Sequence, residues 1–365
     1  MKNQTSTLVS QTPVFIGDTV LATLKQFLEK GKWPTDKIFI LLDENTGQYC
    51  LPKLLKSVPY LKKAAMVQLA SGEQNKNIDV CQQVWEGLIQ MKIERESLII
   101  NLGGGVICDM GGFIASTIKR GVAFINIPTS LMAMVDAGIG GKVAVDVNDI
   151  KNQVGLFSKP LAIFIFPDFI ETLDNRKIIS GYAEMLKHGL IADAAYWKKL
   201  KYADFADKKM TNSLIQRSAE IKSNIVTKDF KENNIRKALN FGHTIGHAVE
   251  TLSLRNDKNP KLHGEALAVG MICETWLSQR LCKLAKKEFE EIVSFILALY
   301  KPHSFSKKNI SDLIEIIKHD KKNVNNKVNL SLISKIGKAE INVPCSKELL
   351  IDSLAFYNNL IIWNK

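Results

Sequence analysis

Ser97-Leu-Ile-Ile-Asn-Leu102 runs without a break into Gly103-Gly104-Gly105, and few folds are open to a chain that does this. The apolar run has the length of a strand, and without polar alternation both its faces must be covered. Three glycines at its carboxyl end permit a tight turn into a helix and leave backbone N–H groups approachable. Comparable runs lie at 38–43, ending in Asp43, and at 65–69, 123–128 and 161–166. Between the second and third strands, residues 78–92 carry Cys81, Val84, Trp85, Leu88 and Ile89 on one helical stripe. This alternation predicts a largely parallel sheet covered on both faces, with any ligand beyond the carboxyl ends of its strands. The glycines are not the usual dinucleotide fingerprint. That register needs glycine where Cys108 stands, and the acid comes before the glycines rather than after them. On the residues alone, they fit either a nucleotide site or a plain tight turn.

Residues 128–152 are hard to explain as scaffold. Gly138, Gly140 and Gly141 lead into Lys142, and Lys151-Asn152 follow. This reads as a flexible glycine-rich loop whose amides and cation hold a phosphate, with Asp136 paired to Lys142 or to a cofactor hydroxyl.

Beyond about residue 169 strand signals mostly vanish. Amphipathic helical stretches take over at 213–227, 242–252, 264–284, 288–299, 310–317 and 347–361, with one β-like run at 329–336. The expected division is an α/β domain over 1–170 and an α-helical domain over 171–365, sharing a cleft as small-molecule sites usually do. Three places in the helical half bear on chemistry. Glu184 precedes Lys187 by one turn, His243 and His247 share a helix face, and His263 opens another helix. One carboxylate and two imidazoles make a catalytic zinc set with a position left open. Three histidines compete for two places, and spacing excludes none. Gly242 and Gly246 each precede a histidine and leave room for a ligand to approach the backbone. His188, His303 and His319 read as surface or packing residues.

The bulk numbers narrow the classes. The 365 residues are 46% hydrophobic and 24% charged, as in a soluble enzyme. No run approaches the ~18 apolar residues of a membrane span, and the N-terminus shows no signal pattern. Six cysteines without a C-x-x-C pair fit buried free thiols in a reducing cytoplasm. A net charge of +12 suits nucleic acid or an anionic small substrate. The lysines are scattered and no basic helix carries stacking aromatics, so no nucleic-acid partner is expected.

Taken in order, the motifs form a recognisable set. They are Gly103-Gly-Gly-Val-x-x-Asp109, Lys119-Arg120-Gly121, Pro128-Thr-Ser-Leu-x-Ala-x-Val-Asp136, Gly140-Gly-Lys142, Lys151-Asn-x-x-Gly155, Gly181-x-Ala-Glu184-x-x-Lys187, Leu239-Asn-x-Gly-His-Thr-x-Gly-His-Ala-x-Glu250 and Leu262-His-Gly-Glu265. The chain resembles the 3-dehydroquinate synthases, sugar-phosphate cyclases of the shikimate pathway, from about residue 43 to 322. The resemblance implies a Rossmann-like NAD-binding domain followed by a helical metal-binding domain, in a cytoplasmic homodimer. It implies conversion of 3-deoxy-D-arabino-heptulosonate 7-phosphate to 3-dehydroquinate and phosphate. In that family NAD transiently oxidises the C5 hydroxyl, phosphate is eliminated, the hydride returns, and the ring reopens and closes by an aldol step. Substrate phosphate takes the C6 proton, so no dedicated protein base is expected.

Position by position, the resemblance gives Glu184, His243 and His263 as ligands of one divalent metal, Zn2+ or Co2+. It gives Lys142, Asn152, Lys187, Lys222, Arg236, Asn240, His247 and Lys321 (rather than Lys322) as substrate-site residues, with Arg120 reaching the neighbouring subunit's phosphate. On the NAD side it gives Asp43, Asn45, Glu73, Lys76, Gly104, Gly105, Val106, Asp109, Thr129, Ser130, Asp136, Lys142, Lys151, Thr172 and Leu173. Departures from the family pattern fall at Ser130, Gly138, Ile150, Asp174, Lys177, Lys228 and Phe230, none of them a matched metal ligand. The alternatives are another sugar-phosphate cyclase and a metal-dependent NAD polyol dehydrogenase.

Overall fold

The structure is a computed structural model that describes residues 5–9, 12–147, 150–318, 323–324 and 327–363. The chain divides into two compact units, Met1–Ile178 with Ala206–Phe230, and Ile179–Phe205 with Lys231–Lys365.

The first unit is built on a seven-stranded sheet. Its strands are β1 (Thr5–Val9), β2 (Thr12–Ile16), β3 (Ile38–Asp43), β4 (Ala65–Leu69), β5 (Leu98–Gly103) and β6 (Ala123–Pro128). A hairpin of β7 (Lys142–Val147) and β8 (Ile150–Phe157) precedes the last strand, β9 (Ile163–Ile165). The sheet order is β1-β2-β9-β6-β5-β3-β4. Every pairing is parallel except β1 with β2. β3 and β5 are buried along almost their whole length, as continuous apolar strands between two helical layers must be. From β3 the chain moves to β4 on one side and then returns to β5 on the other. The carboxyl ends of β3 and β5 therefore flank a topological switch point, the place where open α/β sheets bind ligands.

Three expectations change here. The stretch read as a flexible glycine-rich loop is ordered: a single π-helical turn, Ala133–Ala137, leads into the antiparallel β7–β8 hairpin. The sequence reading offered no strand before residue 38, yet β1 and β2 extend the sheet, β2 pairing parallel with β9. On the helix Ile78–Gln90, Cys81, Val84 and Leu88 are buried, but Ile89 is 54% exposed. The buried stripe is narrower than the apolar pattern suggested.

The second unit is helical around Asn175–Ala192 (from Ile179 onward), His243–Asn256, His263–Leu281, Lys286–Leu299, Lys307–Lys318 and Lys347–Trp363. The β-like run is one strand of a three-stranded antiparallel sheet: β10 (Asn323–Val324), β11 (Lys327–Lys335) and β12 (Lys338–Cys345). The His263–Leu281 helix is not amphipathic as expected. Gly264 and every residue from Ala266 to Ser278 is buried. It packs against the His243–Asn256, Lys286–Leu299 and Lys347–Trp363 helices and against β11, so that span keeps no solvent-facing polar stripe.

All six cysteines are free, five of them buried and Cys282 half-buried. His303 is a packing residue, its ring 4.5 Å from Phe305 and 6.2 Å from Tyr357. Burial, helped by Lys261, pushes its pKa down from 6.5 to about 4. A depressed histidine pKa stabilises the fold above the unfolded value, and that stabilisation is lost as pH falls from 6.5 toward 4. Between pH 7 and pH 5 the group is expected to cost at most about 2 kcal/mol. Chemical denaturation of wild type and His303→Gln across that range checks it: the variant's profile should be flatter, and parallel profiles would refute the assignment.

Candidate active site

In the first unit the expected cofactor residues fall along one edge of the sheet. Asp43 ends β3, Glu73 and Lys76 follow β4, and Gly104, Gly105 and Val106 follow β5. Thr129 and Ser130 follow β6, and Thr172 and Leu173 follow β9. All lie beyond carboxyl ends of parallel strands. Asp43 caps the helix Glu44–Tyr49, which carries Asn45: its carboxylate accepts the Thr46 N–H at 2.8 Å, while the Thr46 hydroxyl accepts the Asp43 N–H at 2.9 Å. Gly104 caps the helix Gly105–Thr117 with no side-chain acceptor, so the first-turn N–H groups face the switch point uncapped by a side chain. The Thr129 N–H donates to the Gly103 carbonyl at 2.9 Å, tying the β6 and β5 ends together.

Beside that edge lies a charged network. Lys76, buried, donates to Asp109 at 2.7 Å and to Asn152 at 2.7 Å. Burial works against the ammonium, but Asp109, Glu73 and Asp146 outweigh it and hold Lys76 protonated above the ordinary lysine range. Burial lifts Asp109 above the usual carboxylate range, and Lys76 offsets part of the rise. Lys151 pairs with Glu73 at 2.8 Å. Asp136 pairs with Lys222 on the Lys208–Lys228 helix, whose ammonium donates to the Asp136 carboxylate at 2.5 Å and to its carbonyl at 2.7 Å. Asp136, expected to pair with Lys142 or with a cofactor hydroxyl, thus also binds a lysine 86 residues away. Lys142 itself is exposed at the start of β7. Arg120 is exposed at a turn where Lys119, Arg120 and Gly121 all have positive φ, at 52°, 67° and 113°. A left-handed residue costs about 1 kcal/mol unless it is glycine, so this turn spends stability on its shape.

The second unit gathers a carboxylate and three histidines that could hold a metal ion. Glu184 is completely buried on the Asn175–Ala192 helix, and Lys187 one turn on is 1% exposed and ion-paired with its Oε2. The other oxygen, Oε1, lies 3.3 Å from His243 Nε2 and 3.2 Å from His263 Nε2. The opposite ring nitrogens are held from behind. His243 Nδ1 is 3.2 Å from the Phe241 carbonyl, and His263 Nδ1 is 3.0 Å from Glu250 Oε2. Imidazoles anchored at Nδ1 by a carbonyl or a carboxylate present Nε2 to a metal, so this donor set fits a divalent cation. Burial opposes ionisation of Glu184, but Lys187 and the two histidines outweigh it and hold the carboxyl well below its ordinary range. Burial would lower His263, but Glu250 and Glu184 raise it to about 10, whereas burial and Lys187 lower His243.

His247 stands with them. One ring nitrogen from each of His243, His247 and His263 lies within 4.8 Å of the others. Geometry therefore keeps all three histidines together, as spacing did. Asn240 donates to Glu232 at 2.5 Å, and Arg236 is buried in the Ile235–Asn240 turn. Lys321 and Lys322 lie outside the described residues. Gly242 and Gly246 do not open the backbone to a ligand. A Cβ on Gly242 would meet Met271 at 2.7 Å, and one on Gly246 would meet Leu267 at 3.1 Å, so both serve helix packing.

Glu250 was in the motif but had no role assigned; as the carboxylate behind His263 it has one. A second missed pair is Asn101 and Asn126, buried on adjacent strands. Asn101 donates to Asn126 at 2.9 Å, and Asn126 donates to the Gly138 carbonyl at 3.1 Å, fixing the turn before β7. The available signal was asparagine inside an otherwise apolar strand.

An uncapped helix start at a switch point could take a nucleotide phosphate, and the Glu-His-His cluster could hold a metal ion, each within its own unit of an α/β-plus-helical fold. The family model for the 3-dehydroquinate synthase N-terminal region matches residues 66–180, and that for the C-terminal region matches 181–323. A 3-dehydroquinate synthase of Parabacteroides distasonis is 42% identical over 351 residues, 96% of this chain and 98% of the relative. One from Thermoanaerobacter pseudethanolicus is 37% identical over 325 residues, 87% of this chain and 89% of the relative. The chain belongs to the 3-dehydroquinate synthase family. Among solved structures, a 2-deoxy-scyllo-inosose synthase with carbaglucose-6-phosphate, NAD+ and Co2+ has a TM-score of 0.82 at 20% identity, covering 96% of this chain and 99% of that one. A 2-epi-5-epi-valiolone synthase from Streptomyces hygroscopicus with NAD+ and Zn2+ has 0.81 at 21%, covering 99% and 98%. An iron-containing alcohol dehydrogenase from Thermotoga maritima has 0.69 at 12%, covering 98% and 100%.

Proposed function

We propose that this chain converts 3-deoxy-D-arabino-heptulosonate 7-phosphate to 3-dehydroquinate and inorganic phosphate, with NAD and one divalent metal, Zn2+ or Co2+, and no net redox change. The observation that carries the reading is the buried Glu184 oxygen shared by two imidazoles, each anchored behind. NAD bound at the Gly104–Gly105 helix start would supply reversible hydride uptake, and a divalent metal held by Glu184, His243 and His263 would supply Lewis-acid polarisation of substrate oxygens.

The chain's own residues supply binding and orientation. The N–H groups opening the Gly105–Thr117 helix receive the cofactor pyrophosphate, and Asp43 faces a ribose hydroxyl. Lys142, Asn152 and Lys222 from the first unit, and Lys187, Arg236, Asn240 and His247 from the second, are assigned to the substrate. A dianionic phosphate and a carboxylate call for this many cations, and each charge-assisted hydrogen bond contributes about 1.5–3 kcal/mol. His247 holds or passes a proton at the reacting oxygens. Arg120 reaches the phosphate bound by a second copy, so the working unit is a homodimer, in the cytoplasm. Among the described residues no helix is long and apolar enough to cross a membrane.

Incubating metal-replete protein with NAD and the heptulosonate phosphate is expected to release phosphate stoichiometrically with dehydroquinate, with no lasting absorbance at 340 nm. Lasting NADH would favour a polyol dehydrogenase, and phosphate release only from a different sugar phosphate would favour another cyclase. Mixing Arg120→Ala with Lys187→Ala subunits is expected to restore part of the activity. No recovery after proven subunit exchange would place Arg120 in its own site.

A further inference from the structure

We propose that Glu274 is a positioning residue for His243, acting through the start of the helix that carries it; this rests on the reading of Glu184, His243 and His263 as metal ligands. Glu274 lies on the His263–Leu281 helix, has no exposed surface, and is the one charged residue between Ala266 and Leu277. Its Oε2 accepts the Gly242 N–H at 2.6 Å and its Oε1 accepts the Ile245 N–H at 3.3 Å. Gly242 is the N-cap of the His243–Asn256 helix, with φ 79° and no side chain to offer. In an ordinary capping box a serine or threonine at the N-cap accepts the third helical N–H, and a glutamate at that third position returns to the N-cap N–H. Here one carboxylate from a neighbouring helix does both.

The consequence falls on His243. It is the first helical residue, between the two amides that Glu274 holds, so its Cα is fixed on both sides. Its ring then needs only the Phe241 carbonyl to set its orientation. Charge argues the same way. A helix N-terminus carries partial positive charge, which disfavours a divalent cation held by its first residue, and a buried carboxylate at that terminus offsets it. The helices are too close for another cap to enter. A Cβ at Gly270, one turn before Glu274, would lie 1.8 Å from the Gly242 carbonyl oxygen.

A cap that serves stability alone and a cap that serves the metal site differ in one measurable way, the metal affinity of protein that is already folded. The test strips full-length protein of metal, then measures the Zn2+ and Co2+ dissociation constants by chelator competition and the Tm of the stripped protein. Glu274→Ala is expected to weaken metal binding about 10–100-fold, the range for groups that support metal ligands. Glu274→Gln, which keeps one acceptor oxygen, is expected to weaken it about tenfold, and alone decides if the alanine variant does not fold. Ser278→Ala, which loses a buried acceptor of the Ile333 N–H at 3.0 Å on the same helix, is expected to lower Tm with metal binding unchanged. Folded Glu274 variants that bind metal as wild type does would overturn the proposal. His243→Ala in the same assay separates the premise: undiminished binding there would instead overturn the assignment of the metal ligands.

Discussion

Replacing His243 by alanine is expected to drop bound metal from near-stoichiometric to background, while His247→Ala keeps the metal and loses about 10²–10⁴-fold in turnover. Both lie on one face of the same helix, with ring centroids 4.9 Å apart. The difference lies in what stands around each. His243 faces the Glu184 oxygen that His263 also faces, and its far nitrogen is held by the Phe241 carbonyl. Elemental analysis after exhaustive dialysis, beside phosphate release, makes the distinction. Equal metal loss from both variants would make His247 a third imidazole ligand, which the three-histidine cluster permits.

Gly270→Ala is expected to destabilise the protein by about 3 kcal/mol or more and to abolish metal retention. The added methyl would lie 1.8 Å from the Gly242 carbonyl oxygen and 2.8 Å from the Gly246 nitrogen, both backbone atoms with no rotamer to yield. The His263–Leu281 helix is enclosed on its other faces and has nowhere to retreat. Separating the two helices also separates their first residues, His243 and His263. A matched control is Gly87→Ala, on the open side of the helix Ile78–Gln90, where a Cβ meets nothing within 4 Å and is expected to stabilise by about 0.5–1 kcal/mol. Thermal denaturation with metal analysis checks both. A Gly270→Ala protein with wild-type Tm and metal content would refute the role of this helix contact.

What sequence reading recovered depended on how local each signal was. Strands 38–43 and 123–128 were legible to their ends, because a continuous apolar run closed by Asp43 or Pro128 is a short-range statement. The β7–β8 hairpin was hidden because glycines around Lys142 say only that the backbone is permissive. What orders it is packing of Val143 and Val145 into the first unit's core, a tertiary fact. β12 was available and missed: Ala339, Ile341 and Val343 alternate with Lys338, Glu340 and Asn342, directly after Gly337. The histidine pair showed itself through helical spacing, yet nothing local tied Glu250 to a residue 13 positions away or Glu274 to one 32 positions away. Asp136 was expected to pair with Lys142 or a cofactor hydroxyl; its bond to Lys222, on a helix far along the chain, had no local signal.

The burial of the cysteines has a use of its own. Only a thiolate attacks an alkylating or disulfide reagent. Burial raises Cys50 to about 11, Cys81 to about 12 and Cys345 to about 12, and lifts Cys108 and Cys273 as well. Modification at these positions must wait for the surrounding structure to open. Cys50, Cys81 and Cys108 belong to the first unit, Cys273 and Cys345 to the second. The chain thus carries two separate sets of chemical timers, each recording how often its own half of the molecule comes apart.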